Sequence, residues 1–114
     1  MTSSAFTVDQ GVTATFNNDV TAFSDERLKT EVETINDALN KVCQMRGVSF
    51  KRTDNDGRTS VGVIAQEIEK VLPEVVREDS SEDKIKSVAY GNIVGVLIEA
   101  IKELKNEIEE LKKE

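Results

Sequence analysis

Residues 91–113 read GNIVGVLIEAIKELKNEIEELKK. Within this stretch Val94, Leu97, Ile101, Leu104, Ile108 and Leu111 recur at alternating steps of three and four. That spacing is a heptad seam, with Val94, Ile101 and Ile108 at a and Leu97, Leu104 and Leu111 at d. Lys105 and Lys112 fall at e, and Glu107 and Glu114 fall at g. Glu107 and Lys112 have the g-to-e separation used between parallel neighbouring helices. Two apolar residues in seven make a stripe too narrow for ordinary packing on a globular core. From residue 101 onward the pattern therefore predicts a coiled coil. Upstream, Ile98 and Ala100 make e and g apolar, and the wider face calls for more neighbours than a two-stranded seam supplies. Over 91–100, packing on the chain's own domain competes with assembly. Ile at a with Leu at d leans towards dimers, so the pattern alone does not specify a trimer.

Working outward from this helix, Val32, Ile35, Leu39 and Val42 also recur at helical steps and predict a helix that Gly47 ends. Val48-Ser49-Phe50 and residues 60–65 predict two strands, joined by a loop at Thr53-Asp54-Asn55-Asp56-Gly57. The loop has a faint likeness to a calcium loop. The full ligand spacing is missing, and a plain turn is the better reading. Residues 66–72 predict a short helix stopped by Pro73. Val75-Val76 and residues 85–90 bracket a polar loop and predict a second hairpin. The fold class is α+β: small β-hairpins with helices and a long C-terminal coiled-coil helix.

The first 23 residues differ in kind. They hold two acidic residues, Asp9 and Asp19, and no Lys or Arg, whereas all 15 basic residues lie between Arg27 and Lys113. Val12-Thr13-Ala14-Thr15-Phe16 alternates with the period of a strand, and Asn17-Asn18-Asp19 reads as a turn. A β-rich piece this short cannot bury its own surface. Residues 1–23 are read as the end of a longer β-rich stalk, and residues 24–114 as a separate domain.

The 114-residue chain carries 15 basic and 22 acidic residues, a net charge of −7. A purely electrostatic grip on nucleic acid is disfavoured, because phosphates need a basic surface. There is no His, which removes Ser-His-Asp triads, Cys-His dyads and most zinc sites. No metal or cofactor is expected. The single cysteine, Cys43, forbids an internal disulfide. No stretch approaches the ~18 apolar residues of a membrane span, so no membrane partner is expected either. Aromatic residues make up 4% of the chain and Trp is absent. Such a small core points to stability drawn partly from other copies of the chain.

Ser24-Asp25-Glu26-Arg27-Leu28-Lys29 stands where the β-rich and helical patterns meet. On spacing alone, Ser24 reads as a helix N-cap with Asp25 and Glu26 in the first turn. Residues five apart on a regular helix point roughly 140° apart. For Ser24 and Lys29 to meet, Ser24 must precede the helix on a bent segment, or the lysine must come from another chain. Nucleophilic chemistry without His remains feasible. A serine hydroxyl needs a base, and a lysine kept neutral by burial supplies one.

Three stretches together carry a resemblance. Asp19-Val20-Thr21-Ala22-Phe23-Ser24-Asp25-Glu26-Arg27-Leu28-Lys29 resembles the opening of the phage tailspike and tail-fibre intramolecular chaperone domains, the peptidase S74 family. Gly62-Val63-Ile64-Ala65-Gln66-Glu67-Ile68-Glu69-Lys70-Val71-Leu72-Pro73-Glu74-Val75-Val76 resembles its central motif. Val88-Ala89-Tyr90 followed by the heptad helix is similar to its C-terminal end. The resemblance covers roughly residues 17–114.

It implies an intertwined homotrimer at the end of a virion fibre or spike precursor, made in the bacterial host cytoplasm. Such a domain assists folding of the upstream part of its own polypeptide. It then releases itself as a single-turnover serine endopeptidase. The resemblance carries the nucleophile onto Ser24 and its lysine partner onto Lys29, with the scissile bond at Phe23-Ser24. Two other readings stand beside it: a non-catalytic trimerisation or capping module of a fibrous protein, and an adaptor coiled coil unrelated to fibres.

Overall fold

The structure is a computed structural model of the 114-residue chain, and it describes residues 6–8 and 11–113. The chain divides into two compact units, Met1–Val32 with Ser49–Ser60 and Glu33–Val48 with Val61–Glu114. The helices are α1 (Ala38–Cys43), α2 (Ala65–Glu69) and α3 (Ile93–Lys112). The strands are β1 (Val48–Lys51), β2 (Thr59–Gly62), β3 (Val76–Glu78) and β4 (Lys86–Val88). Short 3-10 turns occupy Glu26–Leu28, Pro73–Val75 and Tyr90–Asn92.

The second unit holds the core. Ala38, Ile68, Leu72, Val75, Val96 and Ala100 are buried, and Ile35, Leu39, Val42, Val63, Val88 and Ile93 pack around them. The most extensive packing between the described elements is that of α1 against α3. It is fastened by one side chain. The Glu103 carboxylate accepts hydrogen bonds from the backbone N–H groups of Ala38 (2.9 Å to Oε2) and Leu39 (3.0 Å to Oε1). These are orphan donors at the start of α1, which otherwise need a local cap. The negative carboxylate also faces the positive end of the helix.

This clamp explains why the helix predicted from Val32 to Val42 begins only at Ala38. Asp37 sits in the left-handed region at φ 54° and Glu31 at φ 53°, which breaks any helix upstream. In a continuous helix the amides of Ala38 and Leu39 bond to carbonyls four residues earlier. Glu103 takes those donors instead. Ile35, Leu39 and Val42 still meet the core, but Val32 is exposed.

The remaining elements follow their sequence patterns with shifted ends. β1 and β2 pair in a two-stranded sheet. β2 stops at Gly62 because Ile64 is already the extended N-cap of α2. α2 starts at Ala65, and its last turn closes through the Leu72 N–H to the Ile68 carbonyl at 2.7 Å. Pro73 opens the 3-10 turn that follows, where its fixed φ suits a first helical position. β3 and β4 pair antiparallel, Val76 opposite Val88 and Glu78 opposite Lys86. Lys86 bridges Glu69 (2.9 Å) and Glu78 (3.2 Å), tying α2 to this hairpin. Arg46 makes a two-pronged pair with Glu67 of α2.

The strand expected at Val12-Thr13-Ala14-Thr15-Phe16 does not form; those residues are irregular, with a bend at Asn17 and Asn18. A strand needs a hydrogen-bonding partner, and none of the strands of the described residues pairs with this segment. The loop at residues 53–57 is a plain turn. Asn55 and Asp56 accept bonds from the Gly57 and Arg58 amides, and Asp54 holds Arg52.

Glu103→Ala removes both cap acceptors and should destabilise the protein by about 1–2 kcal/mol, the usual cost of a lost N-cap. Glu103→Gln should recover only part of this, since its amide presents one acceptor oxygen. Urea denaturation of the three proteins checks both expectations.

Candidate functional site

Ser24 lies just ahead of the extended N-cap Asp25 of the 3-10 turn Glu26–Leu28, and Lys29 caps the end of that turn. The expected N-cap assignment is corrected here. The cap is Asp25, whose Oδ1 accepts the Arg27 N–H at 2.8 Å. The reason is register: the 3-10 turn starts at Glu26, so its cap position falls on Asp25 and leaves the Ser24 hydroxyl uncommitted to the helix. Arg27 folds back on the same carboxylate, Nε to Oδ1 at 3.0 Å and Nη2 to Oδ2 at 2.7 Å. The Leu28 and Lys29 amides return to the carbonyls of Asp25 and Glu26.

This small knot has a geometric result. A regular helix separates residues five apart around its axis. Here a single tight turn is flanked by extended residues, Asp25 at φ −64°, ψ 136° and Lys29 at φ −123°, ψ 143°. The chain doubles back, and Lys29 Nζ donates a hydrogen bond to Ser24 Oγ at 2.7 Å. The two side chains therefore meet within one chain, on a bent segment, without a lysine from another copy. Both are exposed, and Phe23 is 95% exposed.

The Arg27 guanidinium beside Asp25 holds its carboxyl below the usual 3.8, helped by the Arg27 backbone N–H. Across the other described loops, Arg46 similarly lowers Glu67, and Ser81 with the Ile85 amide lowers Asp79, which closes the β3–β4 loop.

The six seam residues occupy α3, and the structure separates two faces of that helix. Val96 and Ala100 are buried and Glu103 faces α1, so this side packs on the chain's own core. Val94, Leu97, Ile101, Leu104, Ile108 and Leu111 remain between 41% and 67% exposed, and Ile98 is 50% exposed. Over 91–100 the expected packing on the chain's own domain is found at Val96 and Ala100, and Val94, Leu97 and Ile98 stay exposed on the adjacent face. Glu114, assigned to g, lies outside the described residues.

Residues 24–77 match the Peptidase S74 family, the chaperone of endosialidase. Over these residues the chain is similar to that family. The match opens on Ser24, the first residue of the knot, and runs through the central motif to β3. The chain is 38% identical over 94 residues to the long tail fiber protein Gp37 of Enterobacteria phage K3. That alignment takes in 77% of this chain and 8% of the relative. Gp37 of Enterobacteria phage M1 is 38% identical over 104 residues, 83% of this chain and 41% of the relative. Gp37 of Salmonella phage S16 is 31% identical over 110 residues, 89% of this chain and 15% of the relative. The chain thus spans less than half the length of these relatives. Among solved structures, one described as a novel intramolecular chaperon superposes with a TM-score of 0.57 at 22% identity. It is covered over 99% of its length by 74% of this chain, so the two share a fold.

Two features of the chain were not legible beforehand. Glu103 carried a faint signal, since it continues the four-then-three spacing of Val96 and Ala100 on the face beside the seam. Asp25 competed with Ser24 for the cap, and Arg27 two residues on is the partner that favours it.

Because the Asp25 carboxyl titrates below its unfolded value, its contribution to the turn is present above about pH 3.8 and is lost as pH falls through the lowered folded value. Carboxyl-carbon NMR should show the Asp25 midpoint below 3.8. In Arg27→Leu that midpoint should move back up towards the ordinary value.

Proposed function

We propose that this chain is the C-terminal intramolecular chaperone of a phage tail fibre, and that it trimerises, assists folding of the upstream fibre and then cuts itself off at Phe23-Ser24. The observation that supports the cutting step is the 2.7 Å hydrogen bond between Lys29 Nζ and Ser24 Oγ. In this reading the neutral Lys29 amine takes the Ser24 hydroxyl proton as Oγ attacks the Phe23 carbonyl carbon. A C–O bond forms, the Phe23–Ser24 C–N bond breaks, and the proton passes from Lys29 to the leaving amine. Water then hydrolyses the ester, frees the Phe23 carboxylate and restores the hydroxyl.

An ammonium cannot accept that proton, and burial is what favours a neutral lysine amine. Both side chains are exposed in the single chain. Contact between the two groups needs no second copy; removal of water does. Assembly thus gates the chemistry by desolvation, and cleavage reports that three chains have come together.

The exposed seam on α3 supports the assembly step. Covering six half-exposed aliphatic side chains contributes on the order of 5 kcal/mol per chain at 1.5–3 kcal/mol per fully buried residue. A helix with local contacts forms faster than a β-rich fibre with distant pairings. Once assembled, it holds three upstream chains at high effective concentration. After cleavage the fibre cannot readily refold or unfold with its helper, a kinetic form of stability.

The exposure of the dyad also favours a second reading, a trimerisation module that does not cut. Intact mass separates them on a chain carrying its native upstream segment. Ser24→Ala and Lys29→Arg should both abolish the fragment that starts at Ser24 and leave assembly intact. Arginine keeps the charge but not the ability to lose a proton. Equal cleavage in wild type and Ser24→Ala rules out Ser24 as nucleophile.

Leu104→Asp with Ile108→Asp places two charges per chain in the seam, each costing several kcal/mol if buried without a partner. Sedimentation should show a monomer, and cleavage should be lost with the trimer. A demonstrated monomer that cuts at the wild-type rate overturns assembly gating.

A further inference from the structure

Helix α3 carries charges that the single chain only partly uses. Lys102 pairs with Glu99 at 3.4 Å, Lys105 with Glu109 at 3.7 Å and Lys113 with Glu110 at 3.3 Å, all along the helix. Glu103 is committed to the start of α1. Among the described residues, Glu107 and Lys112 are the two charged side chains of α3 left without an ion pair or hydrogen bond, and both are exposed.

The sequence around them explains why. The helical neighbours of Glu107 at three and four steps are Glu103, Leu104, Glu110 and Leu111, and none is basic. Like charges at that spacing destabilise a helix, so in the single chain Glu107 is a cost. Lys112 has Glu109 three residues before it, but Glu109 is taken by Lys105. The two e-position lysines thus behave differently. The difference follows the g position that each would meet in a parallel neighbour, five residues earlier. For Lys105 that position is Ala100, which is buried in the core and offers no charge, and Lys105 pairs within its own chain. For Lys112 it is Glu107, and Lys112 is left open. These two open charges flank Leu104, Ile108 and Leu111, which are exposed.

We infer that Glu107 of one copy pairs with Lys112 of the next, and that this contact selects which chains associate and in which direction. This rests on the reading above that the seam joins copies of the chain. In a threefold assembly the pair repeats three times. An antiparallel neighbour brings g to g and e to e, which gives Glu107 no lysine to meet. The parallel arrangement matches the charges, and it sends all upstream segments out at the same end. Exposed ion pairs add little affinity; their use is discrimination. A seam of Ile and Leu fits many other coiled coils, whereas a like charge opposite Glu107 or Lys112 is penalised.

Sedimentation equilibrium of the full chain at low ionic strength tests this. Glu107→Lys sets base against base, and Lys112→Glu sets acid against acid. Each should raise the concentration of half-assembly by roughly tenfold, and high salt should shrink the difference. The double variant, which swaps the pair, should return to the wild-type value. An equimolar mixture of the two single variants should assemble at a lower concentration than either alone. A merely local role predicts the opposite for Glu107→Lys, because a lysine there relieves the repulsion from Glu103 and Glu110 and strengthens the helix. Assembly of Glu107→Lys as tight as wild type overturns the pair and leaves the seam reading standing. Failure of the double variant to recover overturns it as well. A wild-type chain that stays monomeric at every concentration refutes assembly and the pair together.

Discussion

The carboxylate of Glu103 is the interaction on which the arrangement of the second unit depends. It satisfies two backbone donors of α1 from 64 and 65 residues away in sequence. A six-residue helix is far too short to persist by its own hydrogen bonds, so α1 exists because it is capped from outside and packed on α3. The same contact fixes the rotation of α3 about its axis. With Val96, Ala100 and Glu103 committed to α1 and the core, the heptad positions are turned away from the chain's own interior. An exposed seam is the consequence of that rotation, and of the small core that cannot also cover it.

Helix α3 therefore serves two masters on adjacent faces. Small and β-branched residues at c and g meet the local core, and aliphatic residues at a and d stay exposed. This division resolves the tension in a chain with a high charge content and little aromatic mass. It leaves the apolar surface exposed along the a and d positions, while Lys105 and Glu109 pair along the outside of the helix.

At the start of the domain a different device operates. Asp25 and Arg27 tie a single 3-10 turn, and the turn returns the backbone on itself. The Ser24 and Lys29 side chains meet because the helix is so short. Had a regular α-helix begun at Ser24, the two would diverge. Local structure supplies the contact between the two side chains, and both stay exposed.

Much of this was legible in the sequence. The heptad spacing from Val94 to Leu111 specified the terminal helix within two residues of its start, and Pro73, Gly57 and the two apolar pairs marked the turns and both hairpins. These are local signals, set by backbone stereochemistry and by the periodicity of side chains, and they need no partner to be read. The tertiary structure decided the rest. It chose Asp25 over Ser24 as cap, because the register of a three-residue turn depends on an Arg27 side chain folding back. It delayed α1 to Ala38, because a carboxylate distant in sequence competed for the same amides. It left residues 12–16 irregular despite their alternation, because a strand requires a second strand and the pattern cannot supply one. Periodicity reports which face is apolar. Which donors are already taken, and by whom, is a property of the folded chain alone.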